Sequence, residues 1–221
     1  MPREKFEHDM KRVQEKILAL GVMAESAVLE SVDALKKQDL ARARTLMDED
    51  RRINEMRYEL ENEALTLIAT QQPMAGDLRI LAAVLEIATE LERIADYAKG
   101  IANITLMIGT EPLIKPLLDI PVMAKKACDM LHRALEAFFA QNVDRACSIP
   151  AEDEEVDALY ERIYRDLVAC IIADNNVINQ AMRLTWVAHN LERVADRVGN
   201  ICERVVFSIT GRIEEMTDAK G

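Results

Sequence analysis

The run Leu91-Glu92-Arg93-Ile94-Ala95-Asp96 returns in the second half of the chain as Leu191-Glu192-Arg193-Val194-Ala195-Asp196, with Ile exchanged for Val and the other positions identical. Earlier segments recur in the same order. Residues 53–56 (INEM) sit over 156–159 (VDAL), and Asp39-Leu40-Ala41-Arg42-Ala43 over Asn142-Val143-Asp144-Arg145-Ala146. A chain that repeats its segments in order is built from two copies of one unit, so its fold and its chemistry are both expected in duplicate.

Turn signals divide each copy into three segments. Lys37-Gln38-Asp39 and Gln72-Pro73 with Gly76-Asp77 punctuate the first; Ala140-Gln141-Asn142 and Asp174-Asn175-Asn176 punctuate the second. A linker is expected from Gly109 through Pro112 and Pro116 to Pro121. Between these points apolar residues recur every three or four positions, as in Leu78, Leu81, Leu85 and Ala88, or Leu159, Ile163, Leu167 and Ile171, which is the helical period. Only 7 Gly and 6 Pro interrupt 221 residues, so the helices should be long. The expected fold is all-α: two tandem, pseudo-symmetric antiparallel three-helix bundles, residues 1–110 and 111–221. Pro150 falls inside the fifth expected helix, where it removes a hydrogen bond and clashes with the preceding turn, so that helix should kink or restart there.

A net charge of −11 argues against nucleic acid, whose backbone would demand clustered Lys and Arg. The 4 cysteines stand singly, with no C-x-x-C pair, and are expected as reduced thiols in the core; the 11 methionines are expected as core gap-fillers. The charged N-terminal residues MPREKFEHDMKR do not read as a signal peptide. The longest apolar run, 167–173, is far short of the ~20 residues that cross a bilayer. A cytoplasmic location and no membrane insertion are expected.

The chemistry lies in the acids. Glu92 and Asp96, like Glu192 and Asp196, are four residues apart and project from one helical face. A second pair precedes each turn, Asp50 with Asn54 and Asp153 with Asp157. Asp50 and Asp96 are equidistant from Pro73, as are Asn54 and Glu92; Asp153 and Asp196, and Asp157 and Glu192, are equidistant from the junction of Asp174 and Asn175. Because every helix rises about 1.5 Å per residue, equal distances from a hairpin turn place residues at one height on neighbouring helices. Each unit should therefore gather four oxygen-bearing side chains, an arrangement suited to a hard cation such as Mg, Mn or iron. His189, Asn200 and Glu203 lie on the same helix as Glu192 and could contribute further ligands. The alternative is a solvated face in which Arg52, Arg93, Arg162 and Arg193 pair with the acids.

These motifs, with the run Gln72-Pro73-Met74-Ala75-Gly76-Asp77-Leu78-Arg79 and the ending at 200–207 (NICERVVF), resemble the PhoU family over nearly the whole chain. The resemblance implies two three-helix bundles whose acidic motifs can hold multinuclear metal clusters, iron in some members. It also implies a non-catalytic, homodimeric negative regulator of the phosphate-starvation response, linking the ATPase subunit of a phosphate ABC transporter to a sensor histidine kinase. Ala95 and Ala195 stand where many members have Gly, and Asn54 where an acid is usual. Two other readings compete, a metal-free helical scaffold and a carboxylate-bridged di-metal enzyme. The enzyme reading is weakened because such sites use Glu-x-x-His pairs, and none of His8, His132 and His189 has Glu three residues before it.

Overall fold

The structure is a computed structural model and describes residues 2–212. Among these residues there are helices and no strand. The first unit is α1 (Pro2–Lys37), α2 (Leu40–Gln71) and α3 (Ala75–Ile108); the second is α4 (Asp119–Ala140), α5 (Val143–Ser148), α6 (Asp153–Ala173) and α7 (Ile178–Thr210). Asp39 and Asn142, matched in the repeat, cap α2 and α5 by accepting hydrogen bonds from the backbone N–H groups of Arg42 and Arg145. Each satisfies a donor that a helix start leaves open.

The expected fifth helix is two helices. Pro150 opens a short 3-10 turn, Pro150–Glu152, between α5 and α6. The break falls there because proline brings no N–H to the ladder and is accommodated only in a first turn. The linker is shorter than the prolines suggested: α4 already begins at Asp119, with Pro121 in its first turn.

The two bundles are fused. One hydrophobic cluster runs through both, joining Leu20, Ile87 and Leu91 to Met130, Phe138 and Leu191. The most extensive helix contact is between α3 and α7, which run antiparallel across the boundary. Glu90 faces Arg197 (3.4 Å) and Asn200 (3.3 Å), Glu86 faces Arg204 (2.9 Å), and the carbonyl of Met107 accepts from Arg183 (2.7 Å). Gly100 permits this close approach, because a Cβ there would lie 2.9 Å from Asn190 Nδ2. The linker is strapped down from both sides. Gln38 Nε2 donates to the carbonyls of Gly109 (3.2 Å) and Glu111 (2.6 Å); Gln180 accepts from Ile114 N (2.7 Å) and donates to the carbonyl of Pro112 (3.1 Å).

Two expectations about side-chain placement need correction. Cys128 and Cys202 are buried, and burial pushes both thiols up to about 12, but Cys147 is exposed on the short helix α5. Met10, Met123 and Met130 are in the core, whereas Met74, Met107 and Met182 are on the surface.

Three helices end on glutamines in the left-handed region, Gln38, Gln72 and Gln141, with φ of 53, 47 and 49°. An L-residue pays roughly 1–2 kcal/mol for that conformation, which glycine adopts freely. Gln141→Gly is therefore expected to stabilise the protein by about 0.5–1 kcal/mol, less than the full strain because glycine also gains freedom in the unfolded chain. A urea-unfolding midpoint that falls would show that Gln141 contributes contacts of its own. Gln38 should gain nothing from the same change, since its side chain holds the linker.

Candidate functional site

In the first unit the acidic residues lie on α2 and α3. Asp50 is the deepest, only 5% exposed. Its Oδ2 accepts from Lys99 Nζ (2.7 Å), reaching across from α3, and from Asn54 Nδ2 (3.2 Å) on its own helix. Its Oδ1 is buried without a hydrogen-bond partner. The carboxyl of Glu92 is pushed above its usual range by partial burial and then by Asp96, with Asp50 adding to it. Asp96 is exposed at its outer edge, yet its carboxyl is also raised, first by partial desolvation and then by Asp50. Asp50 thus acts on Asp96, its counterpart at equal distance from the turn at Pro73, and also on Glu92 one turn away.

The second unit arranges its acids between α6 and α7. Asp153 opens α6 with Asp157 one turn on, and Glu192 and Asp196 lie on α7, where Asp157 is near enough to act on Asp196. Burial raises the Asp196 carboxyl, Arg193 opposes the rise, and Glu192 and Asp157 reinforce it. Arg193 Nη1 stands 2.9 Å from Asp196 Oδ2, off the hydrogen-bonding line, so this buried oxygen has a charge partner but no hydrogen bond. His189 Nδ1 lies 3.1 Å from Glu192 Oε2. Asn200 turns instead to Glu90 in the seam between α3 and α7, and Glu203 lies further along α7.

The acids meet pairwise and not around one point. Among the described residues, no group of three or more His, Cys, Asp or Glu side chains is disposed to hold a metal ion as the side chains lie. Neighbouring side chains engage them singly: Lys99 binds Asp50, Arg193 lies against Asp196, and the His189 ring contacts Glu192. Of the other arginines weighed as partners, Arg162 binds Asp119 (2.7 Å), while Arg93 approaches Glu90 (3.8 Å) and also acts to lower the Glu92 carboxyl. The donor chemistry still suits a hard cation: the acids offer oxygen atoms, buried oxygens of Asp50 and Asp196 lack a hydrogen bond, and burial, reinforced by neighbouring acids, raises the carboxyls of Glu92, Asp96 and Asp196.

Two features escaped the sequence reading. Lys99 is one: the equal-height rule sets it opposite Met47, three residues from Asp50, and its long side chain closes that offset. The other is a surface strip on α7, where Ile178, Met182 and Trp186 are all about half exposed at helical spacing. His189 continues it, its ring centroid 5.2 Å from that of Trp186, and the stacked pair Tyr160 and Tyr164 lies on α6. Contiguous exposed apolar surface of this kind marks contact with another macromolecule more often than it marks idle surface.

Comparison with known proteins bears on both units. The PhoU domain, as a sequence family, matches residues 17–105 and again 120–205. A phosphate-specific transport system accessory protein PhoU homolog of Clostridium acetobutylicum is 34% identical over 99% of this chain and 100% of its own length. The PhoU accessory protein of Escherichia coli is 28% identical over 94% of this chain and 86% of its own. Crystal structures of the phosphate transport system regulatory protein PhoU from Streptococcus pneumoniae and of PhoU from Pseudomonas aeruginosa both superpose with a TM-score of 0.87. They are 27 and 28% identical, cover 95 and 94% of this chain, and are themselves covered over 99 and 100%.

Proposed function

Since the chain belongs to the PhoU family, we propose that it is a regulatory accessory protein of phosphate transport, restraining phosphate uptake and the phosphate-starvation response without catalysing a reaction. The observation that carries this reading is the family match in both units, together with relatives named as accessory proteins of phosphate-specific transport over their full length. Its partners are the ATPase subunit of a phosphate ABC transporter and a sensor histidine kinase, met at the cytoplasmic face of the membrane. No helix among the described residues is long and apolar enough to cross a membrane, so attachment would come through protein contact. The exposed strip of Ile178, Met182 and Trp186 offers apolar surface for such contact. Self-association as a homodimer belongs to the same reading.

The acidic faces are proposed as metal sites. Asp153, Asp157, Glu192 and Asp196 would hold a hard cation in the second unit, and Asp50, Asn54, Glu92 and Asp96 are the corresponding set in the first. A bound Mg, Mn or iron ion would supply the positive charge that the raised carboxyls of Asp196, Glu92 and Asp96 call for. The chain's part is to fix the height and spacing of the oxygens through the antiparallel helices and their turns.

A strain from which the gene is deleted, with no second copy, tests the regulatory role. Phosphate-starvation genes should be expressed in phosphate-rich medium, and phosphate should accumulate through an unrestrained transporter. Normal repression in that strain would refute the role. Binding to promoter DNA at physiological salt would indicate another class of protein.

A further inference from the structure

We propose that Lys99 is a tethered counter-ion that fills the first acidic face in place of a divalent cation, so that the two repeats are unequal and the first face is closed to metal while Lys99 is present. This rests on the reading of the acidic faces as metal sites. It assigns Lys99 a role that the repeat itself does not carry.

Aligning Leu91–Asp96 with Leu191–Asp196 sets Lys99 over Gly199, and the matching segments before the turn set Asn54 over Asp157. The first face therefore combines three carboxylates with an amide and an ammonium, where the second has four carboxylates and a glycine. Lys99 follows Asp96 by three residues and Glu92 by seven, so all three project from the same side of α3. From there its Nζ crosses to α2 and binds Asp50 Oδ2 at 2.7 Å. A cation that spans both helices and is acted on by all three carboxylates supplies the positive charge that a bound metal would otherwise bring. The fields of Asp50, Asp96 and Glu92 all act to hold Lys99 in its charged form.

Two further observations support a cation at this point. Asp50 is 5% exposed, and its Oδ1 has no hydrogen-bond partner, so the buried carboxylate retains an open acceptor beside the ammonium. A cavity of about 230 Å³ adjoins Asp50 and Lys99, with Glu30, Arg42, Glu49 and Arg52 on its other walls, so shortening the lysine widens the space beside Asp50. An intramolecular ammonium competes at an effective concentration on the order of millimolar or more, and it pays no cost of association. Position 199, in contrast, is a glycine with open space where a Cβ would stand, so the second face has no side chain at the place of Lys99. The Arg193–Asp196 pair of the second face joins residues of one helix, α7.

The test uses the full chain and Mn²⁺ as the probe, reading bound Mn²⁺ per chain by equilibrium dialysis and the melting temperature with and without Mn²⁺. Wild type should bind at the second face, and Glu192→Gln/Asp196→Asn should lose that uptake. Adding Lys99→Met to the double variant should restore Mn²⁺ uptake and a Mn²⁺-dependent rise in melting temperature. Lys99→Gln, which keeps most of the stem, and the further change Asn54→Asp should do the same. Circular dichroism confirms the helical fold of each variant.

Uptake by Glu192→Gln/Asp196→Asn equal to wild type would overturn the proposal, because the first face would then bind despite Lys99. So would absence of uptake in every Lys99 variant of that background. If wild type takes up no Mn²⁺ while Lys99→Met does, the role of Lys99 stands and the metal reading of the second face fails.

Discussion

Leu191→Ala is expected to destabilise the protein by about 2–5 kcal/mol, and Leu91→Ala by a similar amount. Both leucines are completely buried in the cluster that joins the two bundles, on the two helices that form the seam. Removing either leaves a cavity bounded by helices that cannot close over it. For a chain of this size each kcal/mol lowers the melting temperature by roughly 2–4 °C, so a drop on the order of 5–20 °C should appear in thermal unfolding. Glu192→Gln, one residue away, should change metal-free stability by less than about 1 kcal/mol, because a partly exposed carboxylate contributes little. The repeated motif thus has two jobs on one helical turn: Leu, Ile or Val, and Ala face the core, while Glu and Asp face outward. Equal destabilisation by the leucine and the glutamate variants would show that this division is wrong.

That division explains how much of the protein could be read from its sequence. Turns at Gln38, Gln72, Gln141 and Asp174, the caps at Asp39 and Asn142, and the break at Pro150 are local. Each follows from backbone preferences or from a side chain reaching its own backbone, and the structure has them all. The nearness of Asp50 to Asp96 was also legible, since it needs only a hairpin and a constant rise. What lies between the units was not. The seam depends on Gly100 meeting Asn190 and on Glu90 meeting Arg197, contacts between residues far apart in the chain that leave no periodic trace. Surface placement failed for a related reason: Met182 and Trp186 are apolar residues at helical spacing, and spacing alone does not say which side of the helix is covered.

Gln180→Leu is expected to destabilise the protein by about 2–3 kcal/mol, because it leaves the N–H of Ile114 and the carbonyl of Pro112 without their partner. Gln180 is 6% exposed, so water does not readily replace its amide while the linker stays in place. The segment can recover some of the loss by lifting into solvent, which sets the upper bound. Hydrogen exchange at the Ile114 amide separates the two responses: a fast-exchanging amide means that the strap has opened, and a protected one means that it stays down with an orphaned donor. Gln38 holds the other end, so Gln38→Ala should weaken the same strap, and the double variant should lose less than the two single changes together once the segment is already free. Full additivity, with Ile114 still protected, would mean that each glutamine acts only on its own neighbours. The linker would then be held by the packing of Leu113, Ile114 and Leu117 on the core.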